Sequence, residues 1–228
     1  MKYSPKQMKE HLEQKKFNFK KKFGQNFIVD ENIINSILTK AEVTKDCMVI
    51  EIGPGAGSLT YKLATFSKQV LCYEIDTNLK DVLQENLCET DNVEVIYQDF
   101  LEASVKHDLE KYTYDKLYVV ANLPYYITTP IIVKLIEDEI PVDKIVVMVQ
   151  KEVGDRFKAQ PGSKEYSSLS VYLNYYFNVS KLLDVSRNVF LPKPNVDSIV
   201  VELKKKETTY DLVNTKLFFQ LVRDSFKQ

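Results

Sequence analysis

The segment Asn122-Leu123-Pro124-Tyr125-Tyr126 carries the residue types needed to work on an amine attached to an aromatic ring. Such an amine is a poor nucleophile because its lone pair is delocalised into the ring. An acceptor on each of its N–H bonds, the Asn122 side-chain oxygen and a backbone carbonyl such as that of Leu123, turns the nitrogen toward tetrahedral geometry. Pro124 fixes the turn that aims the carbonyl. Tyr125 offers a face on which a base extruded from its helix can stack. The plainer alternative is a strand end with buried aromatics.

A second group of residues fits an adenosine. Glu51-Ile52-Gly53-Pro54-Gly55-Ala56-Gly57 reads as the turn from a strand into a helix, where glycines allow a tight bend and close approach of a ligand to free backbone N–H groups. Its spacing is G-x-G-x-G, with Ser58 where the dinucleotide fingerprint has its third glycine. Glu74 follows Gly53 by 21 residues, at the end of the next strand, where a carboxylate accepts hydrogen bonds from ribose hydroxyls. Asp99 ends the third strand and is placed to receive an adenine amino group. Singly, each acid reads as a helix cap or surface charge. Together they describe an adenosine site that leaves NAD and S-adenosylmethionine (SAM) as candidates.

These residues need a scaffold. Short apolar runs alternate with stretches of helical period, the pattern of a mostly parallel sheet covered on both faces. The spacing predicts seven strands: Cys47–Ile52, Gln69–Ile75, Val93–Gln98, Lys116–Ala121, Lys144–Val149, Val171–Asn178 and Ser198–Leu203. Helices are expected over Asp30–Lys40, with Asp30 as N-cap, and over Gly57–Ser67, Asn78–Leu87 and Thr129–Glu137. The Pro-rich link Leu191–Asn195 is too short for a crossover helix, so the last two strands should form an antiparallel hairpin.

The chain has 228 residues, enough to bury a real core. No apolar run approaches the roughly 20 residues of a membrane span, and a secretory signal is not evident. Cys47, Cys72 and Cys88 lack paired spacing, and His11 and His107 are the only histidines. A disulfide framework, a metal site and a Ser/His/Asp triad are therefore not expected, and the cytoplasm is the expected location. Net charge is −1, yet residues 1–22 hold eight lysines against two glutamates. That basic arm reads either as a solvated terminus or as a contact for phosphates.

From Lys22 to about Leu203 the sequence resembles the KsgA family of small-subunit ribosomal RNA adenine dimethyltransferases. The resemblance is carried by KKFGQNFIVDENII, EIGPGAGSLT, YEID, NLPYYITTP, MVQKEVGDRFKAQPGSKEY and FLPKPNVDS. It implies a Rossmann-like class I SAM-dependent methyltransferase domain over residues 23–206, working as a monomer on small-subunit RNA, with SAM as donor and no metal. It also implies that Asn26 and Ile28 touch the methionine end of SAM, that Gly53 and Gly55 line its loop, and that Glu74 binds its ribose and Asp99 its adenine. Asn122 would serve both SAM and the target amine, beside Leu123 and Pro124, while Tyr125 and Phe190 would supply opposing aromatic faces. Gly154 and Ser167-Ser168 depart from the pattern, standing where alanine and a Gly-Arg pair are expected. Residues 207–228 read as the start of a helical domain that family members continue, with Leu217, Phe218, Leu221, Val222 and Phe226 at helical spacing. Two alternatives share the fold: a large-subunit methyltransferase of the erythromycin-resistance type, and a non-catalytic assembly or transcription factor. An NAD-dependent oxidoreductase fits less well, since the glycine spacing differs and no proton-relay residue is evident.

Overall fold

The computed structural model describes residues 10–12, 14–15, 17, 19–20, 23–207, 210 and 212–227. Most of the basic arm lies outside the described residues. Of its lysines, Lys15 pairs with Glu85 at 2.7 Å and Lys20 with Asp76 at 2.7 Å.

In chain order the elements are β1 (Phe27–Ile28), α1 (Glu31–Ala41), β2 (Cys47–Ile52), α2 (Ser58–Phe66), β3 (Gln69–Tyr73), α3 (Lys80–Asn86) and β4 (Val93–Ile96). There follow α4 (Val105–Leu109), β5 (Lys116–Asn122), α5 (Thr128–Glu137), β6 (Lys144–Gln150), α6 (Lys151–Phe157) and α7 (Ser168–Tyr176). The chain continues through β7 (Phe177–Val185), β8 (Phe190–Leu191), β9 (Ser198–Lys205) and α8 (Thr215–Ser225). Seven strands form one sheet in the order β4-β3-β2-β5-β6-β9-β7. The first five are parallel, and β9 runs antiparallel between β6 and β7.

Strand β2 shows why the sheet is covered on both sides. Its residues alternate between two apolar layers: Met48, Ile50 and Ile52 join one, Cys47 and Val49 the other, and all are buried. Because β2 has β3 on one side and β5 on the other, strand order reverses there. The crevice at the carboxyl ends of these strands is where such sheets take ligands. Helix α1 starts where expected, with the Asp30 carboxylate accepting from the Asn32 N–H at 2.8 Å.

Two parts of the sequence reading are corrected. The aromatic run at 171–176 belongs to helix α7, and the strand expected over 171–178 begins only at Phe177 and continues to Val185. Aromatic and β-branched residues favour strands in general, but Ser167 and Ser170 form a capping box that starts a helix, and the helix buries Leu173 and Tyr175. Ser167 thus acts as a cap where a Gly-Arg pair was expected. A short two-stranded sheet, β1 paired antiparallel with β8, was not anticipated at all. Beyond the main sheet, α8 buries Phe219 against Tyr172, Tyr175 and Tyr176 of α7.

The glycine at 154 has a steric cause. It lies in α6 against β9, and a Cβ there would fall 2.3 Å from Cδ1 and 2.5 Å from Cγ1 of Ile199. Gly154→Ala should therefore lower stability by about 1–2 kcal/mol, because overpacking outweighs the roughly 1 kcal/mol gain in helix propensity. Adding Ile199→Ala, which removes both of those carbons, should make the double variant less destabilised than the sum of the two single losses, as read by thermal unfolding of the single and double variants.

Candidate functional site

The sheet's carboxyl ends and residues 23–28 enclose one cleft, lined by the glycine turn, Glu51, Glu74, Asn122 and Tyr125. Gly53, Gly55 and Gly57 have φ of 71°, 58° and 82°, conformations that any other L residue adopts with strain. A Cβ on Gly55 would lie 2.8 Å from two ring atoms of Phe27, so the segment 23–28 rests its aromatic ring directly on the turn. Helix α2 opens immediately afterwards with no side-chain cap on its first N–H groups. Ser58 Oγ is buried there without a hydrogen-bond partner.

Glu74 follows β3, its backbone N–H donating to the Ile96 carbonyl at 3.0 Å. Its carboxylate accepts from the Gly55 N–H at 3.2 Å and the Asp76 N–H at 2.8 Å. Burial pushes its pKa up to about 7, against the lowering effect of these two donors. Asp76, also buried, accepts from Lys20 Nζ at 2.7 Å and Gln25 Nε2 at 2.8 Å. Burial opposes its ionisation, but the hydrogen bonds from Lys20 and Gln25 prevail and hold the carboxyl below its usual range. This latch, with Lys20, fixes the near end of the strap formed by residues 23–28. The far end is fixed by the β1–β8 pairing and by the Val29 N–H, which donates to the Val189 carbonyl at 2.9 Å.

The strap reaches Asn122 at the end of β5. Asn122 Nδ2 donates to the Asn26 carbonyl at 2.8 Å, which leaves Oδ1 buried with no partner. A buried acceptor held this way lacks only a donor. The Leu123 N–H donates to the Met148 carbonyl at 3.1 Å, tying the segment to β6. The Pro124 carbonyl accepts from Thr128 Oγ1 at 3.1 Å and from the Ile127 N–H at 3.2 Å, which turns the chain into α5. Tyr125 OH is 2.8 Å from Ser198 Oγ, and Tyr126 is 52% exposed at the rim.

The cleft therefore gathers Asn26, Ile28, Gly53, Gly55, Glu74 and Asn122 with Leu123, Pro124 and Tyr125. Asp99 lies apart from this lining, half-buried, its carboxylate capping the turn at Phe100–Glu102 through the Leu101 N–H at 2.9 Å. Phe190 is a correction. It is 4% exposed, opposite Ile28 in the β1–β8 register and packed in the core layer with Ile34, Val185 and Val200, so it presents no open face to a base. The sequence pattern FLPKP gave no sign that its first two residues pair with the strap. Also missed were the Lys20–Asp76–Gln25 latch, whose signal was an acid two residues beyond Glu74, and Glu51, which directly precedes the glycine turn.

A mostly parallel seven-stranded sheet with an antiparallel insertion before its last strand, a glycine turn at the point of order reversal and a carboxylate after the next strand define a class I methyltransferase. Solved structures agree. A dimethyladenosine transferase from Plasmodium falciparum aligns with a TM-score of 0.78 at 30% identity, covering 89% of this chain and 71% of that one. The 23S rRNA methyltransferase ErmE aligns with a TM-score of 0.72, also at 30% identity, covering 86% of this chain and 77% of that one. The profile of the family described as ribosomal RNA adenine dimethylase matches residues 16–228, and the chain belongs to that family. A relative from Staphylococcus aureus strain bovine RF122 / ET3-1, named ribosomal RNA small subunit methyltransferase A, is 49% identical over 99% of this chain and 77% of its own length. The same name and identity apply to a relative from S. aureus strain JH9.

Glu51 supplies a test of the electrostatics at the cleft. It is 2% exposed, its carboxyl 3.7 Å from the Cys72 thiol, and burial pushes its pKa up to about 8. A raised folded-state pKa means the native protein holds the proton more tightly, so this contribution is full below the unfolded value of 4.5 and is lost as pH rises through about 8. Glu51→Gln should thus gain stability relative to the parent at pH 9 and show no comparable gain at pH 4, as measured by urea unfolding at the two pH values.

Proposed function

We propose that this enzyme transfers methyl groups from SAM to the N6 amine of adenine in small-subunit ribosomal RNA, twice per base and on two adjacent adenines, as a cytoplasmic monomer. The observation that carries the reading is the buried, unpartnered Oδ1 of Asn122, a residue that lines the cleft together with Tyr125 in a chain of the adenine dimethylase family. The 49% identity to proteins named for the small subunit, against 30% to the 23S enzyme, favours the small-subunit target over the large-subunit one.

Bound SAM supplies an electrophilic methyl group on a sulfonium. Glu74 accepts hydrogen bonds from the ribose, Asp99 from the adenine amino group, and Asn26 and Ile28 border the methionine end. The turn at Gly53 and Gly55 gives the backbone close approach. Asn122 Oδ1 and the Leu123 carbonyl accept the two N–H bonds of the target amine, with Pro124 setting the turn and Tyr125 stacking on the base. Catalysis then rests on positioning, since the amine sheds its proton only after the methyl group has moved. No step calls for a metal ion. Phe190, being buried, is given no role against the base.

Asn122→Ala should cut single-turnover methylation of immature small subunits by about 100-fold or more while changing SAM affinity far less, because the oxygen acts mainly on the reacting amine. Near-parental turnover would remove Asn122 from the mechanism. Glu74 must be ionised to accept two hydroxyls, so SAM affinity should fall as pH drops below about 7 and level off above it. Glu74→Ala should bind SAM more weakly at pH 8 and lose that pH dependence. Calorimetry at pH 6 and 8 on parent and variant decides, and equal affinities would overturn the ribose assignment.

A further inference from the structure

We infer that Ser198 is a positioning residue for the reaction, holding Tyr125 at the height and direction required to receive the target base. The inference rests on the proposed stacking role of Tyr125.

Ser198 opens β9, paired in register with Gln150 of β6 on one side and Val185 of β7 on the other. It is 1% exposed, at the head of a strand whose next three residues, Ile199, Val200 and Val201, are buried apolar side chains. A hydroxyl at such a place carries a desolvation cost unless it has a partner. Its partner is Tyr125 OH at 2.8 Å, across 73 residues of sequence, and no other side-chain hydrogen bond is formed by either group among the described residues. The phenol stays protonated over the working range, since burial raises its pKa more than the Ser198 bond lowers it, and it can therefore donate as well as accept.

The geometry of a tyrosine explains what the bond does. The phenolic oxygen lies on the axis from Cβ through the ring, so anchoring it fixes the direction of that axis, which χ1 sets, while leaving rotation of the ring about χ2 to its neighbours. Tyr125 sits in the turn that leaves β5, and the next residue, Tyr126, is 52% exposed. The backbone end of the ring is held by that turn, and the far end by Ser198. A face anchored at both ends spends less conformational freedom when a base arrives, and misplacement of a reacting group by a fraction of an ångström is costly to rate. Neither group of the pair is assigned to SAM, so loss of the bond should appear in methyl transfer and not in cofactor binding.

The test is a double-mutant cycle of Ser198→Ala and Tyr125→Phe in the full chain, with Tyr125→Ala as reference. Single-turnover methylation of small subunits, SAM affinity by calorimetry and the thermal midpoint are read for each variant. Ser198→Ala and Tyr125→Phe should each slow methylation by about three- to tenfold, the range a single hydrogen bond spans. The double variant should be no slower than the slower single, SAM affinity should stay within about twofold, and Tyr125→Ala should be slower than all of them. Losses that multiply in the double variant would overturn the inference, as would a Ser198→Ala enzyme at the parental rate. Tyr125→Phe breaks the same bond without opening a cavity, so a parental rate there also overturns it even should Ser198→Ala fail to fold. A parental rate in Tyr125→Ala would show instead that Tyr125 takes no part in the reaction, which overturns the stacking assignment and the inference with it.

Discussion

The hydrogen bond from Asn122 Nδ2 to the Asn26 carbonyl joins residues 96 apart in sequence and decides which end of the Asn122 amide is left without a partner. An amide side chain has one donor end and one acceptor end. With the donor end committed to the strap, the acceptor end is left buried and unpartnered, the polarity an amine requires. The rest of the site exists to keep that bond in place. The strap is tied to Asp76 by Lys20 and Gln25, to β8 by backbone pairing, and to the glycine turn by the ring of Phe27. Hydrogen bonds to a charged group, such as those received by Asp76, contribute roughly 1.5–3 kcal/mol each, enough to hold a short unsupported segment.

Two buried carboxyls stand beside this arrangement at a cost to stability. Glu51 and Glu74 carry pKa values pushed up to about 8 and about 7 by burial, so near neutral pH the fold retains protons that the unfolded chain would release. Groups that weaken the fold are common where a ligand is to be bound, because a desolvated carboxylate makes stronger hydrogen bonds to incoming hydroxyls than a hydrated one. The glycine turn contributes similarly: its positive φ values admit only glycine comfortably, and the space above Gly55 is taken by Phe27.

Much of this was legible in the sequence, and the reasons are local. The parallel strands at 47–52, 116–122 and 144–150 are built on the apolar runs 47–50, 117–121 and 145–149, as strands buried on both faces are. Asp30 caps its helix through its own side chain, and the glycine turn requires glycine by its dihedrals. What sequence could not reveal depends on partners far along the chain. The residues of α7 are aromatic enough to read as strand, and only the capping serines start the helix. Phe190 looked like the head of an open loop, yet it is buried because β1, some 160 residues earlier, lies across it. Ser198 read as a strand start, and its bond to Tyr125 becomes visible only when β9 is placed beside β6.

The central claim is that the strap fixes Asn122 so that its oxygen receives the target amine. A crystal structure with a non-reactive SAM analogue and an adenosine-containing RNA fragment tests it most directly. The account predicts Asn122 Nδ2 still bonded to the Asn26 carbonyl and Oδ1 within about 3.2 Å of the adenine N6. An Asn122 amide turned the other way, or an N6 whose hydrogen bonds go to other groups, would contradict it.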